Sequence, residues 1–283
     1  MHKPRKIFGQ HWLTSDKILN RIVKAAELTE RDRILEIGPG MGMLTRPLIQ
    51  NAGSVISVEI DRDLCQKLMK NFKSKQNFLL LQGDFLSLDL DALLSTFPHF
   101  QNPNKVVANI PYNITGPILE KILGKIATPV IPSYEKIILL VQKEVAQRIV
   151  AKPSTKAFGA LSVRVQYLAE CHLLFDVPAK NFFPPPKVDS AVIEIIPRAI
   201  ANPANNPQHL QQIVALGFAS KRKMLRNNFK SIMSTDSLIP LLEQLNINPQ
   251  ARAENLSIDE WVALSNLLYG ISEIDERNKS SGE

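Results

Sequence analysis

Short apolar runs that alternate with helical patterns constrain the fold of this chain more than any other feature of its sequence. The apolar runs occupy residues 33–37, 54–59, 77–82, 105–109 and 135–142, and helical patterns lie between them at residues 43–51, 64–72 and 116–126. Strands that alternate with helices are typical of βαβ units, in which helices cover both faces of a parallel sheet. The sequence therefore predicts an α/β fold, Rossmann-like and doubly wound.

The strand pattern ends well before the C-terminus. The β-branched segments 161–168 and 188–196 predict two more strands, whereas helical patterns follow the segment 200–207, which is rich in proline and asparagine. We therefore expect a large α/β domain at residues 1–200 and a small all-α domain at residues 201–283.

The charge and the cysteine content limit the partners and the compartment. The 283-residue chain has a net charge of +7 and a pI near 9.4, which favours an anionic partner. Nucleic acid is favoured over a membrane because no apolar run is long enough to span a bilayer. Cys65 and Cys171 lack a Cys-x-x-Cys motif, so we expect no metal site and a reducing, cytoplasmic compartment. No long heptad pattern is present, so we expect a monomer.

A glycine-rich loop follows the first apolar run. Gly38, Gly40 and Gly42 open a helix, the context in which a backbone can approach a ligand closely. Their spacing differs from G-x-G-x-x-G, and Glu36 in front of them would repel a pyrophosphate while suiting the cationic sulfonium and ammonium groups of S-adenosylmethionine. The loop therefore disfavours a nicotinamide oxidoreductase and favours a methyltransferase.

Acidic residues end the next two predicted strands. Glu59 lies where a carboxylate can accept both hydroxyls of a ribose, and Asp84 with Phe85 offers an acceptor and an aromatic ring to an adenine. Either acid alone could equally belong to a solvated rim. The joint spacing at three strand ends favours one cofactor crevice.

The segment Asn109-Ile110-Pro111-Tyr112 directly follows the fourth predicted strand. Its residue types suit methyl transfer to a planar exocyclic amine such as adenine N6, whose lone pair is delocalised until acceptors hold its N–H groups. The Asn109 amide oxygen and a backbone carbonyl near Pro111 can supply those acceptors, and Tyr112 can stack on the base. No general base is then required.

These motifs resemble the family of ribosomal RNA adenine dimethyltransferases, and its small-subunit enzymes in particular, over almost the whole chain. Residues 6–13, 159–163, 182–190 and 221–228 are similar to further blocks of that family. Within the first block His11 and Trp12 replace the usual Asn-Phe, and Ile110 stands where leucine is common.

The resemblance implies an activity and a set of contacts. The activity is two successive methylations of N6 on two adjacent adenosines near the 3′ end of small-subunit ribosomal RNA, within a partly assembled (pre-30S) particle. The implied cofactor contacts are His11, Leu13, Gly38, Glu59, Asp84 and Asn109. The implied target-base contacts are Asn109, Pro111, Tyr112 and Phe182, although Phe182 alone would be interpreted as a packed loop residue.

A basic cluster lies in the C-terminal part of the chain. We expect Lys221, Arg222, Lys223 and Arg226 on successive turns of one helix, where they would bind RNA phosphates or form a solvated face. Other functions remain open: the same chemistry on large-subunit RNA or DNA, or a non-catalytic RNA-binding assembly factor.

Overall fold

The computed structural model describes Arg5 and residues 9–131 and 134–280, with side chains described as far as residue 271. The strands are β1 (Trp12–Leu13), β2 (Arg33–Ile37), β3 (Ser54–Glu59), β4 (Phe78–Gln82), β5 (Lys105–Asn109), β6 (Lys136–Gln142), β7 (Ala169–Val177), β8 (Phe182–Phe183) and β9 (Ser190–Pro197). The helices are α1 (Asp16–Ala26), α2 (Thr45–Asn51), α3 (Arg62–Phe72), α4 (Leu90–Leu94), α5 (Thr115–Leu123), α6 (Lys143–Ile149), α7 (Ala160–Leu168), α8 (Pro207–Gly217), α9 (Leu225–Asn228), α10 (Thr235–Gln244) and α11 (Ile258–Ser280).

Seven of the described strands form one sheet, in the order β4-β3-β2-β5-β6-β9-β7. The pairs within β4-β3-β2-β5-β6 are parallel, as predicted. Segment 188–196, predicted as a further strand, contains most of β9, which runs antiparallel to β6 with Ile195 opposite Ile137. Large α/β sheets commonly carry an antiparallel edge of this kind.

The centre of the sheet is buried on both faces, which explains the apolar runs that predict its strands. Ile34 and Leu35 of β2 and Val106 and Val107 of β5 are fully buried. These two neighbouring strands also mark the point where the strand order reverses, so their carboxyl ends frame a crevice between the helices on the two faces. In open α/β sheets that crevice is the usual ligand site.

The segment 161–168 is a helix, so the strand predicted there is wrong. The Gly159 N–H donates to Ser162 Oγ at 3.0 Å, and Ser162 Oγ donates to the Arg148 carbonyl at 2.5 Å, which fixes the start of α7. Val163 and Val165 are buried on that helix, so tertiary packing outweighs their preference for strands. The strand β7 begins directly after α7, a position that the sequence reading missed.

The chain divides into two compact units. The first consists of Met1–Leu123, Ile131–Ala146 and Glu170–Pro197 and contains nearly all of the sheet. The second consists of Gly124–Val130, Gln147–Ala169 and Arg198–Glu283 and includes α7 to α11, with a fully buried Trp261 on α11. Two segments before residue 200 thus belong to the second unit. The domain limits 1–200 and 201–283 stay a prediction.

Candidate active site

A cavity of about 260 Å³ lies in the first unit at the carboxyl ends of β2 to β5. Its wall combines the loop after β2, the ends of β3 and β4, the segment after β5 and the segment around β1. The structure brings together at this cavity most of the predicted site residues: His11, Leu13, Glu36, Gly38, Gly40, Glu59, Asp84, Phe85, Asn109, Pro111 and Tyr112. Residues 6–8 of the predicted N-terminal block lie outside the described residues.

The glycine loop brings backbone to the cavity wall where a side chain would not fit. Gly38 and Gly40 have φ angles of 67° and 60°, in the left-handed region that favours glycine. A Cβ at Gly40 would lie 2.9 Å from Cδ1 of Trp12, which is closer than real side chains approach. The loop therefore forms a cradle whose shape depends on the absence of side chains.

Glu59 is held in place by backbone hydrogen bonds. Its Oε2 accepts the Gly40 N–H at 3.0 Å and its Oε1 accepts the Asp61 N–H at 2.9 Å. Burial raises the pKa of Glu59, and these hydrogen bonds oppose that shift. Each carboxylate oxygen keeps a second lone pair, so both can still accept from the hydroxyl groups of a ligand.

Glu36 is the most deeply buried acid of the site, at 1% exposure. Its Oε2 accepts hydrogen bonds from Thr45 Oγ1 at 2.7 Å and from Ser57 Oγ at 2.6 Å. Among the described residues no group hydrogen-bonds to its Oε1. Burial raises the pKa of Glu36 to about 7, and the negative charge of Glu59 acts in the same direction. The side chain therefore offers an unused acceptor whose ionisation a nearby cation would favour.

The turn after β4 is stabilised by Asp84. Its Oδ1 accepts the Leu86 N–H at 3.0 Å and its Oδ2 accepts the Ser87 hydroxyl at 3.3 Å. The side chain is exposed at the cavity, so the remaining lone pairs can serve a ligand. Phe85 is only 6% exposed and forms part of the apolar wall beside it.

The amide of Asn109 has a fixed orientation. Its Nδ2 donates to the carbonyl of His11 at 3.1 Å, which leaves Oδ1 as the acceptor. The carbonyl of Pro111 accepts the Ile114 N–H at 3.3 Å and therefore points into the following turn. An acceptor near Pro111 must then come from a neighbouring peptide.

Two rings lie next to Asn109. Tyr112 is stacked on His11, with ring centroids 5.8 Å apart and an angle of 17° between the planes. Burial raises the pKa of Tyr112, so its phenol is neutral, and its hydroxyl hydrogen-bonds to Ser190 Oγ. The His11 Nδ1–H donates to the carbonyl of Pro184 at 2.7 Å, which fixes the ring and its tautomer.

The predicted base-stacking role of Phe182 is corrected by the structure. Strand β8 pairs with β1, with Phe182 opposite Leu13 and Phe183 opposite Trp12. Successive side chains of a strand point to opposite faces. Phe182 is consequently packed in the hydrophobic core at 3% exposure, whereas Phe183 is 49% exposed.

The basic cluster of the second unit does not lie on one helix. Lys221 to Lys223 form a turn between α8 and α9, and only Arg226 is helical. The chain turns there because the Asn228 side chain donates to the carbonyls of Gly217 and Ser220. Lys221 is engaged by the Lys156 carbonyl and by Glu254, at 2.5 and 3.2 Å, while Arg222 and Lys223 are exposed.

A family model described as "Ribosomal RNA adenine dimethylase" matches residues 1–269 of this chain. The chain belongs to the ribosomal RNA adenine dimethylase family. The resemblance inferred from the motifs is thus confirmed.

Members of this family with curated names are similar along their whole length. "Ribosomal RNA small subunit methyltransferase A" of Nostoc sp. is 62% identical over 268 residues, which cover 95% of this chain and 99% of the relative. The protein of the same name from Rippkaea orientalis is 61% identical over 272 residues, covering 96% of this chain and 100% of the relative.

Solved structures confirm the predicted Rossmann-like methyltransferase fold. A dimethyladenosine transferase from Plasmodium falciparum is 26% identical, with a TM-score of 0.75 over 90% of this chain and 96% of its own. The 23S rRNA methyltransferase ErmE is 25% identical, with a TM-score of 0.69 over 91% of this chain and 99% of its own.

Three supporting residues of this adenine dimethylase site were missed by sequence reasoning. Thr45 and Ser57 bind Glu36, and Ser190 binds Tyr112. Ser190 belongs to the block 182–190, so that block carried the signal for it. Hydroxyl groups such as those of Thr45 and Ser57 give no signal of their own in a single sequence.

Within the part of the chain that the structure describes, no cluster of His, Cys, Asp and Glu could hold a metal ion. None of the described helices combines the length and the apolar character that a membrane crossing needs.

Proposed function

We propose that this protein dimethylates N6 of two adjacent adenosines near the 3′ end of small-subunit ribosomal RNA, with S-adenosylmethionine as the methyl donor. The observation that carries the proposal is the fixed amide of Asn109, whose Oδ1 is left as an acceptor at the cavity that contains the glycine cradle and Glu59. Family membership and the names of the curated relatives support the choice of RNA and of adenine.

The residues of the cavity fit S-adenosylmethionine. At Gly38 and Gly40 the left-handed backbone lines the cavity without side chains, and Oε1 of Glu36, to which no described group hydrogen-bonds, suits a cationic ligand. Glu59 would hold the ribose hydroxyls, and Asp84 with Phe85 would hold the adenine. Leu13 and His11 would line the side of the methionine moiety. When bound, S-adenosylmethionine supplies an electrophilic methyl group.

Asn109 prepares the target nitrogen for attack. Its Oδ1 accepts one N–H of the adenine amine, and the carbonyl of Ile110 accepts the other, since that of Pro111 is turned away. The two hydrogen bonds reduce the conjugation of the nitrogen with the ring. Its lone pair is then available to attack the methyl group. No proton needs to be removed before the transfer, and the nitrogen loses its extra proton to solvent afterwards. In the second methylation a single N–H remains, and one of the two acceptors holds it.

Tyr112 positions the base. Its neutral ring stacks on the adenine, and its hydrogen bond to Ser190 fixes the angle of the ring. The adenine must first leave its own stack to reach this cavity. Orientation of reacting groups in this way can lower a barrier by roughly 7 to 11 kcal/mol, so positioning is sufficient as the main source of the rate.

The second unit would contact the RNA through phosphates. Arg222 and Lys223 are exposed on its turn and would give affinity without reading the sequence. Lys221 contributes less, because it already binds Glu254. Selection of the substrate then comes from the shape of the RNA in a partly assembled particle. The protein would act in the cytoplasm and as a monomer.

Mass spectrometry of nucleosides tests this proposal. Small-subunit particles that lack adenine dimethylation, naked large-subunit RNA and DNA are each incubated with the protein and S-adenosylmethionine. Dimethyladenosine in the small-subunit particles alone is the expected result. Product in large-subunit RNA or DNA instead would move the activity to that substrate, and cofactor binding without any product would leave another RNA as the target. Failure to bind the cofactor would favour a non-catalytic assembly factor.

A further inference from the structure

Phe183 is an exposed aromatic residue that the proposed chemistry does not use. Its neighbour Phe182 is packed in the core, and the alternation of side chains along β8 turns Phe183 to the opposite face. It is 49% exposed.

The loop that carries Phe183 is attached to the candidate active site at both ends. At one end, Pro184 accepts the hydrogen bond from His11, whose ring stacks on Tyr112. At the other end, Ser190 hydrogen-bonds to the hydroxyl of Tyr112. Phe183 pairs through β8 with Trp12, which lines the cavity. Phe183 therefore lies at the rim of the cavity and is held by the same residues that would position the target base.

Lysines near Phe183 in the loop supply positive charge, which attracts the phosphates of an RNA strand. Lys180 and Lys187 flank it along the chain and are exposed, and Val188 is 48% exposed. Asp189 of the same loop is also exposed and accepts the N–H of Ala179 at 2.9 Å, and the two lysines outnumber it. Exposed aromatic rings combined with cations are typical of surfaces that bind single-stranded nucleic acid.

We propose that Phe183 stacks on the unpaired nucleotide next to the adenosine that is being methylated. The target base itself would contact Asn109 and Tyr112 inside the cavity, whereas Phe183 lies outside its wall. This inference rests on the proposed function, in which two adjacent adenosines are modified. Phe183 then holds one adenosine at the rim while the other occupies the cavity, and it contributes binding rather than chemistry.

Steady-state kinetics on small-subunit particles test the inference. Stacking on a base contributes about 1–3 kcal/mol, so Phe183→Ala should raise the KM for the particle by about 5- to 150-fold. The kcat and the Kd for S-adenosylmethionine should not change, because the contact is made equally before and during the reaction. Phe183→Tyr, which keeps the ring, should restore the KM, and Phe183→Leu, which keeps only apolar area, should not.

Phe97→Ala is the matched control, since Phe97 is an aromatic residue of similar exposure, 39%, that does not line the cavity. Its KM should stay at the wild-type value. An unchanged KM in Phe183→Ala, or equal rescue by leucine and tyrosine, would overturn the stacking role. A loss of kcat and of cofactor binding would instead show that Phe183 only supports the loop. If the wild-type protein forms no product on these particles, the proposed function itself fails, and this inference fails with it.

A fluorescent base gives a readout that does not depend on turnover. Small-subunit particles whose RNA carries 2-aminopurine beside the target adenosine should lose fluorescence on binding the wild-type protein, because a stacked base is quenched. Phe183→Ala should bind without that quenching, and Phe183→Tyr should restore it. Equal quenching by the wild type and Phe183→Ala would refute the contact.

Discussion

Replacing Glu36 with glutamine should make the ligand-free protein more stable at alkaline pH and should lower its affinity for S-adenosylmethionine. Glu36 is 1% exposed, and burial raises its pKa from 4.5 to about 7. The folded protein therefore binds more protons than the unfolded chain between these two pH values, so its free energy of unfolding falls as pH rises through that range. One pKa unit corresponds to about 1.4 kcal/mol, so the full shift is worth about 3 kcal/mol.

Glutamine keeps the shape of the side chain and can still accept from Thr45 and Ser57, but it does not titrate. We expect Glu36→Gln and the wild type to have similar stability below pH 4.5, where Glu36 is protonated in both states. Above pH 7 the variant should be more stable by about 3 kcal/mol.

Urea denaturation without cofactor across this range measures the difference, with Glu30→Gln, an exposed carboxylate, as the control. Calorimetry should show weaker binding of S-adenosylmethionine by Glu36→Gln, because a negative charge at the cavity is lost. Parallel pH profiles for the two proteins would refute the reasoning, as would unchanged cofactor affinity.

Three other expectations follow from single contacts. Gly40→Ala should lower the free energy of unfolding by at least about 1 kcal/mol, since left-handed backbone is strained in an L residue. Its clash with Trp12 should also weaken cofactor binding in a titration. Unchanged values would show that the loop does not need glycine at this position. Lys105→Met should cost about 3–5 kcal/mol in urea denaturation, because it removes the ammonium 3.1 Å from the buried Asp32 and leaves that charge with only the hydrogen bonds from Thr29 and Asn104. A loss under about 1 kcal/mol would speak against a buried ion pair. Arg222→Ala should lower the slope of a plot of log binding constant against log salt concentration by about one, the equivalent of one counterion. An unchanged slope would show that Arg222 does not contact an RNA phosphate.

The central strands are predictable from the sequence because strands that are buried on both faces consist mainly of apolar residues. The strands β2, β3 and β5 begin and end at the predicted residues, and β4 and β6 begin one residue later than predicted. Val163 and Val165 misled the prediction of α7, since side-chain packing within the second unit decides their conformation. The order of β9 and β7 at the edge of the sheet depends on long-range pairing, which a local pattern does not contain.

That the glycines and acids would line one cavity was also predictable, because acids and glycines at the ends of successive parallel strands must meet at one edge of the sheet. The burial of the aromatic residues was less predictable. Phe182 and Phe183 are chemically identical, and only the pairing of β8 with β1 decides which ring is buried. The turn at Lys221 to Lys223 likewise depends on a tertiary contact, the hydrogen bonds from Asn228.

A single-turnover rate with Asn109→Ala tests whether the Asn109 amide prepares the target nitrogen for attack. Asn51→Ala, an exposed amide on α2, is the control, and saturating small-subunit particles and S-adenosylmethionine remove differences in binding. We expect the rate of methyl transfer to fall by about 100-fold or more, the size of effect that loss of one preorganised hydrogen-bonding group produces, while the Kd for S-adenosylmethionine stays unchanged. A rate equal to that of Asn51→Ala would contradict the account.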